Sequence, residues 1–182
     1  VSEEALRHVI NLSPNFLFAK DAQGRFLLAN QATAEVYGTT VEGLLGKTDA
    51  DFAKNPEDVR HFRSDDLDVI QSGRRKEIPE ETITDATGRV RILRTTNIPF
   101  IMPGTSIPAV LGVAVDITEL KKTQEALYKK AAAIETSMDG MAILNTEQKY
   151  IYMNDAHAKV YGYDNTDELI GKSWHVLYDK NE

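Results

Sequence analysis

Residues 16–38 read FLFAKDAQGRFLLANQATAEVYG, two apolar runs separated by a polar turn and followed by a helical pattern. The turn at residues 21–24 ends in glycine, which readily takes the positive φ that tight hairpins need. Asn30 follows the second run, where its side chain can cap a helix over residues 31–37 that Gly38 ends. The stretch therefore predicts a strand, a turn, a second strand and a short helix in direct succession.

The last quarter of the chain repeats this pattern at a constant offset. The matching positions are Ile10 with Ile134, Ser13 with Ser137, Asn30 with Asn154, and VYG at residues 36–38 with VYG at residues 160–162. One residue out of step, LLGKT at residues 44–48 returns as LIGKS at residues 169–173. This period is about one small domain and is too long for a solenoid. We therefore expect one complete domain at residues 1–118, a connecting helix at residues 119–137 and the N-terminal portion of a second domain at residues 138–182.

The rest of the first domain alternates between helical and extended patterns. We predict a helix at residues 3–12, short helical pieces at residues 41–45 and 49–52, a long helix after Pro56, and strands at residues 77–84, 89–99 and 108–117. Asp65, Asp66 and Asp68 on the long helix are expected to form a solvated face. Two strands, a cluster of helices and a three-stranded antiparallel run make an α+β fold with the helices on one face of the sheet.

Composition excludes several classes of function. The chain has 182 residues, no cysteine and a formal net charge of −7, so disulfides, thiolate catalysis and zinc–thiolate sites are excluded. The acidic balance argues against nucleic acid as a partner, because phosphates need a basic face. The four histidines lack neighbours at catalytic or metal-ligand spacing, so we expect no metal site and no enzyme activity in this chain. No apolar stretch is long enough for a membrane span, and we expect a cytoplasmic location.

Four segments carry a resemblance to a known family. They are FLFAKDAQGRFLLAN at residues 16–30, AEVYG at residues 34–38, LLGKT at residues 44–48 and VLGVAVDIT at residues 110–118. In this order they resemble the PAS family of sensory domains, over residues 5–120 and again over residues 132–178. The resemblance implies a PAS fold, which is a five-stranded antiparallel sheet with helices on one face and room for a small ligand between the two. It also implies a signal-transduction input module for an output domain, such as a histidine kinase of a two-component system or a cyclic-dinucleotide enzyme.

The resemblance also narrows the possible cofactors, and none is predicted. Flavin-binding light sensors of this family need a reactive cysteine where this chain has Asp49, and a glutamine where it has Ala114; a flavin photo-adduct is therefore excluded. Haem-binding members place a histidine at the start of the long helix, where this chain has Asn55, a poor iron ligand. His61 lies further along the same helix and is the one residue that keeps haem binding open. An unidentified small metabolite is the remaining ligand.

Strand alternation, oriented by the resemblance, predicts which side chains face such a metabolite. The candidate ligand-binding residues are Phe18, Lys20, Leu28, Phe52, Phe62, Glu81, Leu93, Thr95, Asn97 and Ala114. Small residues at Gly112 and Ala114 would leave space, and a few polar groups in an apolar cavity are typical of a small-molecule site. The competing interpretation is that the aromatic side chains fill the core, while Lys20 and Glu81 pair or reach solvent.

The segment Asp116-Ile117-Thr118 is the candidate for signal coupling. It joins the last predicted strand to the connecting helix, and Asp116 with Glu119 has the spacing of a capping box. Leu120, Leu127 and Ile134 repeat every seven residues, which is typical of a weak coiled-coil seam. The connecting helix either pairs in a dimer or packs only against its own domains.

Two functions remain open for this chain. In the first, the module detects a small ligand or relays a conformational signal through the helix at residues 119–137 to an output domain. In the second, it is a ligand-free dimerisation and protein–protein interaction module. We expect a homodimer through the N-terminal helix, the apolar outer sheet face and the connecting helix. Residues 138–182, with only half a sheet, are expected to be ordered by packing on a partner chain or on the first domain.

Overall fold

The computed structural model describes residues 3–178, and the chain divides into two compact units, with the boundary in sequence between Lys121 and Lys122. The elements of the first unit are α1 (Glu3–Asn11), β1 (Phe16–Asp21), β2 (Phe26–Ala29), α2 (Gln31–Val36), α3 (Val41–Leu44), a 3-10 turn (Asp49–Asp51), α4 (Pro56–Ser72), β3 (Lys76–Thr84), β4 (Val90–Ile101) and β5 (Pro108–Asp116). Helix α5 (Thr118–Glu135) follows β5. Within the described residues, no helix is both long and apolar enough to cross a membrane.

The first unit contains a five-stranded antiparallel sheet. The strand order is β2-β1-β5-β4-β3, so the first and last strands in sequence, β1 and β5, pair at the centre. Phe16 and Ala114 from these central strands pack with Val36 of α2 and Leu93 of β4, and Phe62 of α4 covers them. Helices therefore lie on the inner face of the sheet, and the predicted α+β fold is confirmed.

Both predicted hairpin turns use the same short sequence, DAxGR. In the β1–β2 turn, Asp21 accepts hydrogen bonds from the backbone N–H groups of Gln23 (2.8 Å) and Arg25 (2.9 Å). In the β3–β4 turn, Asp85 accepts them from the backbone N–H groups of Thr87 (3.0 Å) and Arg89 (3.0 Å). The carboxylate satisfies backbone donors that the turn would otherwise leave unpaired, so the sequence fixes where each hairpin reverses.

Helix α4 begins and ends where the sequence predicted. Asn55 precedes Pro56, and its side-chain oxygen accepts a hydrogen bond from the backbone N–H of Glu57 (3.1 Å). Gly73 takes a left-handed conformation with φ of 64° and ends the helix. The helix spans the sheet and brings Phe62 and Asp66 over its inner face.

Asn30 fastens the start of α2 to the segments before it. Its side chain is fully buried, and its oxygen accepts hydrogen bonds from the backbone N–H groups of Leu17 (3.1 Å) and Thr33 (3.1 Å). Its amide nitrogen donates to the carbonyl oxygens of Ile10 (3.1 Å) and Asn15 (2.8 Å). The sequence predicted the helix cap, and the further contacts with Ile10 of α1 and Leu17 of β1 tie α1, β1 and α2 together.

The second unit repeats this arrangement on a smaller scale. Its elements are β6 (Ala142–Leu144), β7 (Tyr150–Met153), α6 (Asp155–Val160) and two 3-10 turns (Thr166–Glu168 and Trp174–Leu177). Asn154 is fully buried and accepts from the backbone N–H groups of Met141 (2.9 Å) and His157 (3.0 Å). Its amide donates to the carbonyls of Ile134 (2.8 Å) and Asp139 (3.0 Å). The sequence repeat is therefore also a repeat of one hydrogen-bond network.

Candidate functional site

A small cavity of about 40 Å³ lies in the first unit between the inner sheet face and the helices. Its lining residues are Phe16, Phe18, Lys20, Phe26, Thr33, Val36, Tyr37, Phe62, Asp65, Asp66, Ile78, Glu81, Ile83, Leu93, Thr95, Asn97 and Ala114. One water molecule needs about 10–15 Å³ measured in this way, so the space accommodates about three. Pockets that hold drug-sized ligands have volumes of about 300–1,000 Å³. In this conformation the cavity therefore admits only a molecule of a few non-hydrogen atoms.

Most of the residues that the sequence assigned to a ligand site line this cavity. The eight that do so are Phe18, Lys20, Phe62, Glu81, Leu93, Thr95, Asn97 and Ala114. The two that do not are Leu28 and Phe52, and Phe26 and Tyr37 are among the lining residues that the sequence did not single out. The alternation of strands β4 and β5 is therefore as expected, and the two residues that fall outside the lining lie in β2 and directly after the 3-10 turn.

A β-bulge explains why Leu28 lies outside the cavity. Strand β2 pairs Leu28 with Ala19 but Phe26 with Lys20, so Leu27 is the extra residue between them. Because Lys20 points inward, its partner Phe26 also faces the cavity, while Leu28 turns to the opposite face. There Leu28 borders an outer groove with Leu6 of α1.

Phe52 packs behind the cavity wall and not on it. Its ring lies 6.0 Å from the ring of Tyr37, measured between centroids, and Tyr37 in turn packs edge-on against Phe26 at 5.8 Å. Phe52 also borders the buried cluster of Phe26, Ala29 and Leu44. It therefore supports the lining residues without reaching the cavity.

Lys20 is the centre of a buried ion-pair network. Its Nζ lies 2.7 Å from Oδ2 of Asp49 and 3.3 Å from Oδ2 of Asp66, and all three side chains are almost completely buried. Asp49 also accepts a hydrogen bond from the Tyr37 hydroxyl, and Asp66 accepts one from the Asn97 amide (3.2 Å). Buried charges that are paired and hydrogen-bonded in this way avoid most of the cost of leaving water.

Three aromatic rings complete the surroundings of the Lys20 ammonium. Its Nζ lies 4.8 Å from the ring centroids of Phe18 and Phe26, and 5.6 Å from that of Phe62. These distances fall within the range of cation–π attraction. The inner face of the sheet therefore holds a cation between two carboxylates and three aromatic rings.

The prediction that the acidic residues of α4 form a solvated face is wrong for two of the three. Asp66 is 2 % and Asp65 9 % exposed, whereas the side chain of Asp68 is largely in solvent. Asp66 pairs with Lys20, and Asp65 pairs with Lys76 at 3.0 Å. The helical positions of Asp65 and Asp66 face the sheet, where cations from β1 and β3 compensate them.

Burial and charge shift the ionisation of the cavity groups. Burial alone would lower the pKa of Lys20, but Asp49 and Asp66 outweigh that effect and raise it. Burial raises the pKa of Asp66, against the opposing charge of Lys20, and burial also raises the pKa of Glu81. The pKa of Tyr37 is raised well above its ordinary value by burial and by the neighbouring Asp49 carboxylate. Lys20 is therefore charged and Tyr37 is a neutral hydrogen-bond donor near neutral pH.

Two buried side-chain oxygens on the cavity wall lack a hydrogen bond of normal geometry among the described residues. They are Oγ1 of Thr95 and Oδ1 of Asn97, and each residue is only 2 % exposed. The Thr95 hydroxyl interacts with Glu81, which opposes part of the rise in the pKa of that carboxyl. An unsatisfied buried polar group costs about 1–3 kcal/mol, so both oxygens need an explanation.

Gly112 provides space, but the Phe18 ring already occupies it. A Cβ atom at this position would lie 2.2 Å from Cζ of Phe18 and 2.7 Å from Oδ1 of Asn97. The glycine is therefore required for the close approach of the Phe18 ring to β5. The expected open space is reduced to the small cavity beside that ring.

The three candidate signal-coupling residues join the sheet to α5. Oδ1 of Asp116 accepts hydrogen bonds from the backbone N–H (2.9 Å) and the hydroxyl (2.6 Å) of Thr118, the first residue of the helix. The backbone N–H of Ile117 donates to the carbonyl of Ile92 (2.8 Å), and the backbone N–H of Ile92 donates to the Thr118 hydroxyl (2.9 Å). Ile92 of β4 is thus hydrogen-bonded both to Ile117 and to Thr118, the first residue of α5.

The positions that bind flavin or haem in similar domains have structural roles here. Asp49 holds Lys20, and Asn55 caps α4 and donates to Asp58 (3.1 Å). The His61 side chain is two-thirds exposed and lies outside the cavity lining. In residues 3–178, no three histidine or carboxylate side chains are grouped as a metal site requires.

Comparison with known proteins matches both units to one family. A family profile described as "PAS fold" matches residues 10–122, and one described as "PAS domain" matches residues 128–182. A diguanylate cyclase of Vibrio cholerae is 31% identical over 124 residues, which cover 68% of this chain and 38% of that protein. The virulence sensor protein BvgS of Bordetella pertussis is 27% identical over 150 residues, which cover 79% of this chain and 12% of that protein. The chain thus spans well under half the length of these relatives.

Solved structures show the same fold. The PAS domain of Bordetella pertussis BvgS is 26% identical, with a TM-score of 0.52, and the match covers 71% of this chain and 96% of that domain. The VqmA dimer of Vibrio cholerae has a TM-score of 0.57 at 22% identity, covering 66% of this chain and 53% of that one. A further structure is of VqmA bound to DPO, also at 22% identity and with a TM-score of 0.56, covering 65% of this chain and 59% of that one.

Proposed function

This chain belongs to the PAS domain family, and on that premise we propose that its first unit is a sensory input module that binds a small polar molecule in the cavity beside Lys20. A sensory role follows from the relatives, which include a sensor protein and a diguanylate cyclase. The observation that carries the ligand is the pair of unsatisfied oxygens, Thr95 Oγ1 and Asn97 Oδ1, on the cavity wall. A molecule that forms hydrogen bonds with these two oxygens removes the free-energy cost of leaving them unsatisfied.

The strand register supports a short route from this ligand to α5. Thr95 pairs with Ala114 across β4 and β5, and Leu93 pairs with Asp116 two positions further on. A ligand that shifts Thr95 therefore acts two residues away from the hydrogen bonds that begin α5. Small movements of a strand can bias a helix between two packings that differ by a few kcal/mol. We propose that α5 passes this change to an output domain of a longer protein. The cytoplasmic location expected from the sequence stays a prediction.

Replacement of Thr95 by valine tests the binding role. Thr95→Val removes a buried hydroxyl without good hydrogen bonds, so we expect the melting temperature of the ligand-free protein to stay equal or rise. The same variant should lose the thermal stabilisation that a bound ligand gives the wild type, because that stabilisation depends on occupancy. The readout is a thermal-shift screen of small polar compounds. Thr96→Val, on the adjacent outward-facing position of β4, is the matched control and should keep the response.

The outcomes of this screen separate binding from filling of the core. Stabilisation of the wild type and of Thr96→Val, but not of Thr95→Val, supports the proposal. Asn97→Ala should behave as Thr95→Val does in the presence of ligand, because Asn97 is the second contact. If no compound shifts the wild type, or if Thr95→Val responds normally, the cavity is not the binding site.

Exposed apolar side chains favour a second candidate function, homodimerisation. Leu6 and Val9 of α1 are 59 % and 62 % exposed, and Leu120 and Leu127 of α5 are 54 % and 67 % exposed. Exposed large apolar residues in rows are typical of association surfaces. Leu127→Glu should therefore shift the protein from dimer to monomer in sedimentation equilibrium, while Lys129→Glu, on the side of the helix away from this row, should not. A wild-type monomer at micromolar concentration would contradict this candidate.

A further inference from the structure

The charges around the cavity indicate what kind of molecule it accepts, if it is the ligand site proposed above. Among the described lining residues, Lys20 is the only cation, whereas Asp65, Asp66 and Glu81 carry carboxyl groups. Asp49 lies just behind the lining and takes the closer contact to Lys20, at 2.7 Å. Lys76 pairs with Asp65 from the solvent side. The carboxyl groups therefore outnumber the ammonium groups that face them, and a further cation beside Glu81 would offset the burial that raises the pKa of this carboxyl.

The groups with remaining hydrogen-bonding capacity are mainly acceptors. Oδ1 of Asn97 can only accept, because an amide oxygen carries no hydrogen, and the contact of the amide nitrogen with Asp66 identifies which atom is the oxygen. The Glu81 carboxylate beside Thr95 is also an acceptor. The Lys20 ammonium, by contrast, is already engaged by two carboxylates. A ligand that donates hydrogen bonds fits these groups, and one that only accepts them meets carboxylates instead of donors.

We propose that the cavity binds a small organic cation, a short primary ammonium compound whose charged end lies among Glu81, Thr95 and Asn97. The ammonium group supplies donors for the unsatisfied oxygens and offsets the burial of the Glu81 carboxyl group. Its short alkyl part fits the remaining wall, which is made by Phe62, Ile83 and other apolar side chains. The cavity volume of about 40 Å³ limits the molecule to a few non-hydrogen atoms. Anions of the same size are rejected because like charges at short range repel strongly in a water-poor site.

Three probes of matched size and different charge test the inference. Propylammonium, propan-1-ol and propionate are titrated calorimetrically into the intact chain at neutral pH. We expect propylammonium to bind about tenfold or more tightly than propan-1-ol, since hydrogen bonds to charged groups are worth about 1.5–3 kcal/mol. Propionate should not bind measurably.

A charge-neutral variant assigns the site of binding. Glu81→Gln keeps the size of the side chain and removes a buried carboxylate, so the fold is retained, and the affinity for propylammonium should fall about tenfold. Glu77→Gln makes the same change on an exposed position of β3 and should leave the affinity unchanged. If Glu81→Gln leaves the affinity for propylammonium unchanged, the binding is surface association and the inference is overturned.

The outcomes for the ligand class and for the binding role are distinct. Preferential binding of propionate or of propan-1-ol overturns the cationic ligand, but it leaves the cavity as a sensory site. Failure of propylammonium to bind also overturns the cationic ligand, whatever the broader thermal-shift screen finds. Failure of every compound in that screen overturns the binding role itself.

Discussion

Lys20 is buried at a position of the kind that an apolar side chain fills in most protein cores. Two carboxylates and three aromatic rings surround its ammonium group. Replacing Lys20, Asp49 and Asp66 together with apolar residues can leave the free energy of unfolding unchanged, but removing one of the three leaves buried charge without compensation. The stability of the first unit therefore depends on a charge at this position and not only on volume.

Chemical rescue measures this dependence. Lys20→Ala should lower the free energy of unfolding by about 3–5 kcal/mol, because Asp49 and Asp66 then lack their cation. Propylammonium replaces the atoms that alanine removes, so it should restore part of the lost melting temperature, whereas propan-1-ol should not. Lys129→Ala, at an exposed position of α5, serves as the control: it should keep the wild-type stability, and propylammonium should raise its melting temperature no more than that of the wild type. Equal rescue by the alcohol would show that volume and not charge is what the site needs.

Single residues also show where the sequence was sufficient and where it was not. Strand alternation identified Leu93, Thr95 and Asn97 because β4 runs without a bulge beside β5. It failed at Leu28, since a bulge at Leu27 depends on pairing with β1 and leaves no mark in the local pattern. The prediction of a solvated helix face failed at Asp66. A carboxylate looks solvated in a helix until its partner, from a distant strand, is known.

At the scale of elements, the β3–β4 hairpin depends on the ionised form of Asp85. Hydrogen bonds from Thr87, Arg89 and Arg91 lower the pKa of this carboxyl from 3.8 to about 2, the Thr87 hydroxyl being the strongest contributor. A carboxyl with a lowered pKa in the folded state stabilises the fold above the pKa of the unfolded chain. That contribution is lost as the pH falls from 3.8 towards about 2.

Asp85→Asn should therefore destabilise the first unit at neutral pH, and the difference from the wild type should shrink as the solution is acidified through this range. Urea unfolding midpoints at a series of pH values measure it. Asp164→Asn removes an exposed carboxyl and should produce no such dependence. A difference for Asp85→Asn that stays constant down to about pH 2 would mean that its charge is not what holds the hairpin.

The joint between β5 and α5 has a contact that can be removed without unfolding the domain. Asp116→Ala should cost about 1 kcal/mol, as loss of a helix-capping side chain does, against a typical domain stability of about 5–15 kcal/mol. Amide hydrogen exchange over residues 118–127 should speed up, while exchange in β4 stays slow. Glu125→Ala on the exposed side of α5 is the control. Unchanged protection in residues 118–127 would show that Asp116 is not the link between sheet and helix.

At the scale of the whole molecule, the repeat in the sequence predicted two related units, and both units carry the same buried asparagine network. Turns, helix caps and strand alternation were enough to predict the two units, because these features occur along the chain in the order of the family fold. The size of the cavity could not be predicted, since it depends on how the Phe18 ring packs against Gly112. Dependence of the second unit on a partner for its order stays a prediction.

The central claim is that the cavity of the first unit holds a small molecule, and native mass spectrometry tests it most directly. The intact wild-type chain and its Thr95→Val and Thr96→Val variants are incubated with the low-mass fraction of a cell extract and exchanged into volatile buffer. We predict that the wild type and Thr96→Val carry a discrete added mass that Thr95→Val lacks. Absence of any added mass from all three proteins, or an equal added mass on all three, would contradict the claim.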